Sequence, residues 1–202
     1  MTNTLYQNKL SPNAKRVRVL ARELGITLEI VELDFTKGEH KSPANLAHNP
    51  MGKVPTLVNE HGTFWESPAI MVHLAATAKS PLLPLDAVGL TETTRWTCWN
   101  ASHFEPGMFT VLFERMFAPM MGRTPDDVKV ASGVKDIERY APVLDKQLTA
   151  GPWLTGSQFT IADIALATTV EAGMMAAKDE LAPYSNIRAW YGRVMERKSW
   201  KD

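Results

Sequence analysis

The sequence predicts an α/β domain followed by an all-helical one. Three observations carry this. Apolar runs of strand character alternate with helical stripes only ahead of residue 80; the stiff segment Pro81-Leu82-Leu83-Pro84 ends that pattern; and every periodic segment after it has helical spacing. The boundaries expected are an α/β domain over 1–78, a linker over 79–89 and a helical domain over 90–202.

Taken in order, Leu5-Tyr6 ends a short apolar strand. Ser11-Pro12 starts a helix, since serine is a favoured N-cap and proline suits the first helical position. Ala14, Val17, Ala21 and Leu24 recur at spacings of three and four, and Gly25 is a natural stop. Ile26, Leu28 and Ile30 alternate and pass into Val31 and Leu33, as in a strand entering a buried sheet. A strand-helix-strand unit needs a crossover and therefore predicts parallel pairing. The polar segment Asp34 to His48 holds at most a short helix. Thr56-Leu57-Val58 and Thr63-Phe64-Trp65 flank Asn59-Glu60-His61-Gly62, a hairpin signal. Ser67 as N-cap and Pro68 behind it open a helix to about Ala78, with Ile70, His73, Leu74 and Thr77 on one side. Helices follow at 90–118, 126–149, 160–178 and 185–197. Thr160-Ile161-Ala162-Asp163 reads as a capping box in which Asp163 caps and does no chemistry.

Composition narrows the function. The chain has 202 residues, 45% apolar, enough to bury a core. Lys+Arg and Asp+Glu both total 22, and this balance argues against a nucleic-acid or anionic-membrane partner. No apolar run approaches the roughly 18 residues of a membrane span, and the N-terminus lacks a signal-peptide core. Cys98 is the sole cysteine, so no internal disulfide is expected, and no Cys/His spacing suggests zinc. The expectation is a cytoplasmic, metal-free protein.

Asn49 to Ile70 reads as a ligand-gripping stretch. Pro55 lacks an N–H and interrupts the approach to a strand; with a cis Val54-Pro55 bond it marks a bend where Val54 offers free main-chain groups to an extended peptide, and with a trans bond it is a loop proline. Ser67 and Pro68 turn helix N–H groups toward an anion, although taken alone Ser67 is simply a cap. Together the two ends fit a short anionic peptide.

These signals join others along the chain: Ser11 with Lys15-Arg16-Val17, Gly38-Glu39-His40-Lys41, Asn49 to Pro55, and Glu66 to Ile70 in the first half. His103-Phe104-Glu105-Pro106 leads to Leu112-Phe113-Glu114, and Leu154-Thr155-Gly156 precedes the capping box. Over nearly its whole length the chain resembles the soluble glutathione S-transferases, most closely the serine-dependent phi type. The resemblance implies a thioredoxin-like N-terminal domain, a helical-bundle C-terminal domain, glutathione as co-substrate, a small hydrophobic electrophile and a homodimer. It implies that Val54 pairs with the cysteinyl unit beside a cis Pro55, and that Glu66 and Ser67 take the γ-glutamyl ammonium and carboxylate. His40, Lys41 and Lys53 then face the glycyl carboxylate. Lys53 replaces the glutamine usual in phi-type enzymes, a change of charge and salt sensitivity; Pro68 replaces the common arginine or alanine.

The chemistry required is thiol activation. A thiol of pKa about 8.5 is only about 3% ionised at neutral pH, and lowering it by roughly two units takes about 2.7 kcal/mol. A Ser11 hydroxyl donating to the sulfur supplies about 1.5–3 kcal/mol and the helix it begins roughly 0.3–1 kcal/mol more. Ser11 is thus a donor to a thiolate. Tyr6 is a rival donor, Cys98 a rival nucleophile that is expected to lie buried between Trp96 and Trp99, and Ser11 as a plain cap a third possibility. Pro12, Phe35, Phe109, Phe113 and Phe117 are the expected electrophile pocket, the three spaced by four sharing a helix face or forming ordinary core. His103 reads equally as a structural residue. A glutathione-binding scaffold without turnover, ligandin-like, and a glutathione-dependent peroxidase are the alternative functions; the peroxidase wants a cysteine near position 11, where there is none.

Overall fold

A computed structural model describes residues 2–201. The first half is organised on β1 (Thr4–Gln7), whose alternation buries Leu5 and Gln7 and leaves Tyr6 half-exposed. It pairs in parallel with β2 (Glu29–Glu32) and antiparallel with β3 (Thr56–Asn59), which forms a hairpin with β4 (Gly62–Trp65). The order β2-β1-β3-β4 puts β2 at an edge, so Ile30 is 43% exposed and β2 is not the buried strand its apolar run suggests. An edge strand has a neighbour on one side only, and its outer groups face solvent.

Helix α1 (Pro12–Leu24) is capped by Ser11 and stopped by Gly25 in the left-handed region, as its flanks dictate. The segment from Asp34 to His48 is more ordered than expected, with a 3-10 turn (Glu39–Lys41) followed by α2 (Pro43–His48). Ser42-Pro43 repeats the serine-proline start of α1: Ser42 Oγ accepts from Asn45 N at 3.3 Å. Helix α3 (Ser67–Thr77) corrects the register at its start. Glu66 occupies the cap position with φ 66°, and Ser67 is already the first helical residue. Its buried face is Ser67, Ile70, Met71, Leu74 and Ala75, one step round from the side predicted through His73 and Thr77.

The chain divides into two compact units, Met1–Leu83 and Pro84–Asp202. In the second, α4 (Ala87–Trp99) begins at Asp86, whose carboxylate accepts from Gly89 N at 2.9 Å, three residues ahead of the helix start expected. The helix predicted over 90–118 is interrupted. A π turn (Asn100–Phe104) precedes α5 (Glu105–Leu112), and a second (Phe113–Phe117) precedes α6 (Ala118–Met120). Each π turn lies two residues ahead of a proline, Pro106 and Pro119. A proline cannot donate to the carbonyl four residues back and its ring crowds it, so the preceding turn widens. Cys98 faces solvent, not the core: Thr93, Trp96, Thr97 and Asn100 take the buried side of this run, and Cys98 falls on the other.

Helix α7 (Asp127–Gln147) meets α5 where two glycines face each other. A Cβ on Gly133 would lie 2.8 Å from the Gly107 carbonyl oxygen and 2.8 Å from Val111 Cγ2. Helix α8 (Ile161–Ala176) is buried almost all round, and α9 (Lys178–Leu181) and α10 (Ser185–Met195) complete the unit. Asp163 is the expected cap and more. One carboxylate oxygen accepts from Leu154 N (3.0 Å) and Trp190 Nε1 (2.9 Å); the other accepts from Thr160 N (3.0 Å) and Thr160 Oγ1 (3.3 Å). Burial pushes its carboxyl up to about 6 against the pull of these donors.

Candidate functional site

The sheet register gathers the predicted contact residues. Gln7 lies opposite Glu32, Tyr6 opposite Thr56, and Thr56 opposite Trp65. The C-terminal ends of β1, β2 and β4 and the N-terminal end of β3 therefore coincide. The segments leaving that end are 8–11, 33–41, 53–55 and 66–67, which carry Ser11, His40, Lys41, Lys53, Val54, Pro55, Glu66 and Ser67.

The loop carrying Ser11 is tied down. Asn8 Nδ2 donates to the Leu33 carbonyl at 2.9 Å, Leu10 N to Asn8 Oδ1 at 3.0 Å, and Ser11 N to the Asn8 carbonyl at 3.0 Å. Ser11 Oγ accepts from Ala14 N at 3.2 Å. That contact engages a lone pair and leaves the hydroxyl proton available, so capping and donation to a sulfur are compatible.

The turn at Gly38 is closed by Glu39, whose carboxylate accepts from Asp34 N at 2.7 Å. The Thr36 side chain and N–H hold the Asp34 carboxyl below its usual range. Asn45 Nδ2 donates to the His40 carbonyl at 2.8 Å, and the His40 ring packs edge-on against Phe35 at 4.6 Å. Among the described residues, shielded His40 Nδ1 has no hydrogen-bond partner. Asn49 organises the next turn by donating to the Lys53 carbonyl (2.9 Å) and Thr56 Oγ1 (3.2 Å) and accepting from Met51 N (3.0 Å). Gly52, at φ +58°, sits where a Cβ would meet Leu46 Cδ2 at 3.2 Å, the His40 carbonyl at 3.3 Å and Lys41 Cγ at 3.5 Å. That close approach and positive φ favour glycine, and Lys53, the next residue, is exposed, as is Lys41. The Val54–Pro55 bond is cis, and Val54 lies two residues ahead of the β3 ladder.

Glu66 is the only non-glycine residue besides Lys79 with positive φ among the described residues. Such a conformation costs of order 1–3 kcal/mol and persists where surroundings impose it. Ser67, 3% exposed, donates to Asn13 Oδ1 at 3.4 Å and accepts from Arg16 Nη1 at 3.5 Å, which couples the start of α3 to α1. Arg16 is 1% exposed. Asn13, Arg16 and Asn49 were not singled out from the sequence for these roles; only the proximity of Asn13 and Arg16 to Ser11, and the Asn-Pro turn signal at Asn49, point to them.

Of the rivals, Tyr6 faces His48, its ring centroid 5.0 Å away. Exposed Cys98 and exposed His103 both belong to the helical unit, and His103 lies 5.3 Å from the Tyr140 ring. Of the expected pocket, half-exposed Pro12 and 40% exposed Phe35 stand in the first unit. Phe109, Phe113 and Phe117 are half-exposed in the second, outside the core formed by Phe104, Met108, Val111 and Leu112. Phe113 and Phe117 are in ring contact at 6.5 Å.

Comparison with known proteins gives three findings. The family model described as glutathione S-transferase, N-terminal domain, matches residues 1–76, and that for the C-terminal domain matches residues 105–198. A probable glutathione S-transferase, GSTF2, of Oryza sativa subsp. japonica is 34% identical over 200 residues, 96% of this chain and 92% of that one; glutathione S-transferase 3 of Zea mays is 30% identical over 98% and 90%. The solved structure of glutathione S-transferase I from maize in complex with an atrazine glutathione conjugate superposes with a TM-score of 0.88 at 28% identity, over 98% of this chain and 94% of that one.

Proposed function

Because the chain belongs to the glutathione S-transferase family, we propose that it transfers glutathione to small hydrophobic electrophiles by the phi-type, serine-assisted route. Glutathione is the co-substrate. The carrying observation is the convergence of Ser11, Val54–Pro55 and Glu66–Ser67 at one end of the sheet, with Ser67 bonded to Asn13 in the same helix that Ser11 begins. Val54 pairs the main chain of the cysteinyl unit, Glu66 holds the γ-glutamyl ammonium and Ser67 its carboxylate. Lys41, Lys53 and His40 hold the glycyl carboxylate.

Ser11 donates its hydroxyl proton to the thiolate while its lone pair caps α1. A charge-assisted hydrogen bond of about 1.5–3 kcal/mol and a helix terminus of roughly 0.3–1 kcal/mol account for a thiol shifted down by roughly two units. The sulfur then attacks the electrophilic carbon, the carbon–sulfur bond forms as the leaving group departs with its electron pair, and no base on the protein is needed once the thiol is ionised. Pro12, Phe35, Phe109, Phe113 and Phe117 are proposed to receive the electrophile. The protein acts as a cytoplasmic homodimer in this reading.

The test is the ultraviolet thiolate difference spectrum of the glutathione complex against pH. Ser11→Ala should raise the bound thiol's pKa by one unit or more with little change in glutathione affinity. An unchanged titration removes Ser11 from the mechanism. Retention on immobilised glutathione without conjugation of an activated chloronitrobenzene would instead make this a binding module. Light scattering reads the assembly, and a monomer there overturns the dimer.

A further inference from the structure

Between Phe113 and Phe117 the second π turn carries Glu114 and Arg115, adjacent residues that grip different helices. Glu114, 2% exposed, reaches the start of α7: Asp126 N donates to its Oε2 at 3.0 Å, and Lys129 Nζ lies 3.5 Å from its Oε1. Asp126 in turn caps α7 by accepting from Val128 N at 3.1 Å and Lys129 N at 3.2 Å. One side of the π turn is thus tied to a capped helix start.

Arg115 reaches the end of α8. Its Nη1 donates to the Ala176 carbonyl at 2.7 Å and its Nη2 to Glu180 Oε1, in α9, at 2.8 Å. Ala176 is the last residue of α8, and the final carbonyls of a helix have no donor within it, so a guanidinium there supplies both a hydrogen bond and a charge matched to the helix end. The same bond holds the Glu180 carboxyl below its usual range. A turn held at one residue can swing about that contact. Held at two adjacent residues by helices that lie far apart in sequence, it cannot, and α8 is a rigid post because it is buried almost all round.

We propose that Arg115 is a positioning residue for the electrophile: by tying the π turn to the end of α8 it fixes the directions of Phe113 and Phe117, while Glu114 holds the opposite side. The inference rests on the reading in which those two rings receive the electrophile. Single π turns are frequent at functional sites, and this one sets two half-exposed rings in contact at 6.5 Å. Freed of Arg115, the rings sample several orientations and the electrophile is held less well. The residues proposed for glutathione all belong to Met1–Leu83, whereas Arg115 and its partners belong to Pro84–Asp202, so the thiol is left as it was.

The test is steady-state conjugation of 1-chloro-2,4-dinitrobenzene, well below the melting temperature of every variant. Arg115→Met should raise the KM for the electrophile about fivefold or more, with the KM for glutathione and the pKa of the bound thiol as in the parent. Arg115→Lys, which keeps a donor, should recover part of the loss. Arg115→Met combined with Glu180→Met should reproduce the single variant, showing that the effect does not come from a stranded Glu180 charge. A lowered melting temperature with an unchanged electrophile KM would reduce Arg115 to a cap on α8 and overturn the inference. Phe113→Ala separates this failure from that of the pocket. If Phe113→Ala raises the electrophile KM and Arg115→Met does not, only the role of Arg115 falls; if Phe113→Ala leaves it at the parent value, the pocket reading fails and the inference with it. A parent that does not conjugate at all overturns the transferase reading on which both depend.

Discussion

Replacing Asp163 by alanine should destabilise the helical unit by an amount that changes with pH. Three N–H donors, from Leu154, Thr160 and Trp190, point at its carboxylate from residues that are 0% exposed. Alanine leaves all three buried without an acceptor, at about 1–3 kcal/mol each and hence roughly 6 kcal/mol in the middle of that range. The substitution also relieves a buried charge. A carboxyl raised from 3.8 to about 6, burial outweighing the pull of its donors, carries a net cost of roughly 3 kcal/mol for the charged form at neutral pH. The net loss is therefore roughly 3 kcal/mol at about pH 7.5. Because the folded pKa lies above the unfolded one, protonation stabilises the native state. That stabilisation is complete below 3.8 and is lost as pH rises through about 6. At about pH 4.5 the parent gains about 2 kcal/mol that the variant cannot, and the gap widens to roughly 5 kcal/mol. Asp163→Asn keeps an acceptor for Leu154 and Trp190, carries no charge and should track the parent closely at about pH 7.5. Urea unfolding followed by tryptophan fluorescence at both pH values measures all three. A parent-to-alanine difference that does not change with pH refutes the argument.

Other outcomes follow from the same geometry. Glu66→Gly should keep or raise stability by about 1 kcal/mol, since glycine adopts the positive φ freely, while weakening glutathione at least tenfold; calorimetric binding unaltered from the parent would displace Glu66 from the γ-glutamyl end. Gly133→Ala should cost about 1–3 kcal/mol by forcing α5 and α7 apart at the 2.8 Å approach, read as a lowered melting temperature. Lys41→Gln with Lys53→Gln should make glutathione affinity less sensitive to salt; a slope of affinity against ionic strength equal to the parent's would show that neither cation meets the glycyl carboxylate.

Much of this was legible before any coordinates, and the reasons differ by element. Ser11-Pro12 and Gly25 fix α1 through local chemistry alone, and Thr160 with Asp163 fixes the start of α8 in the same way. Ser42-Pro43 carried the same signal, masked by its polar surroundings. Glu66 misled because cap preference names Ser67, whereas the chain's turn out of β4 places the strain one residue earlier. The two π turns follow from Pro106 and Pro119, but periodicity alone reads through them. At the site, Val54 and Pro55 stood out by chemistry. Asn13, Arg16 and Asn49 did not, because their roles depend on contacts made across the fold: Ser67 and Arg16 are bonded over 51 positions.

The exposure of Cys98 has a practical side. As the sole sulfhydryl in the sequence it accepts one maleimide dye per polypeptide, with no engineering. Stepwise photobleaching of that label counts the subunits in each particle.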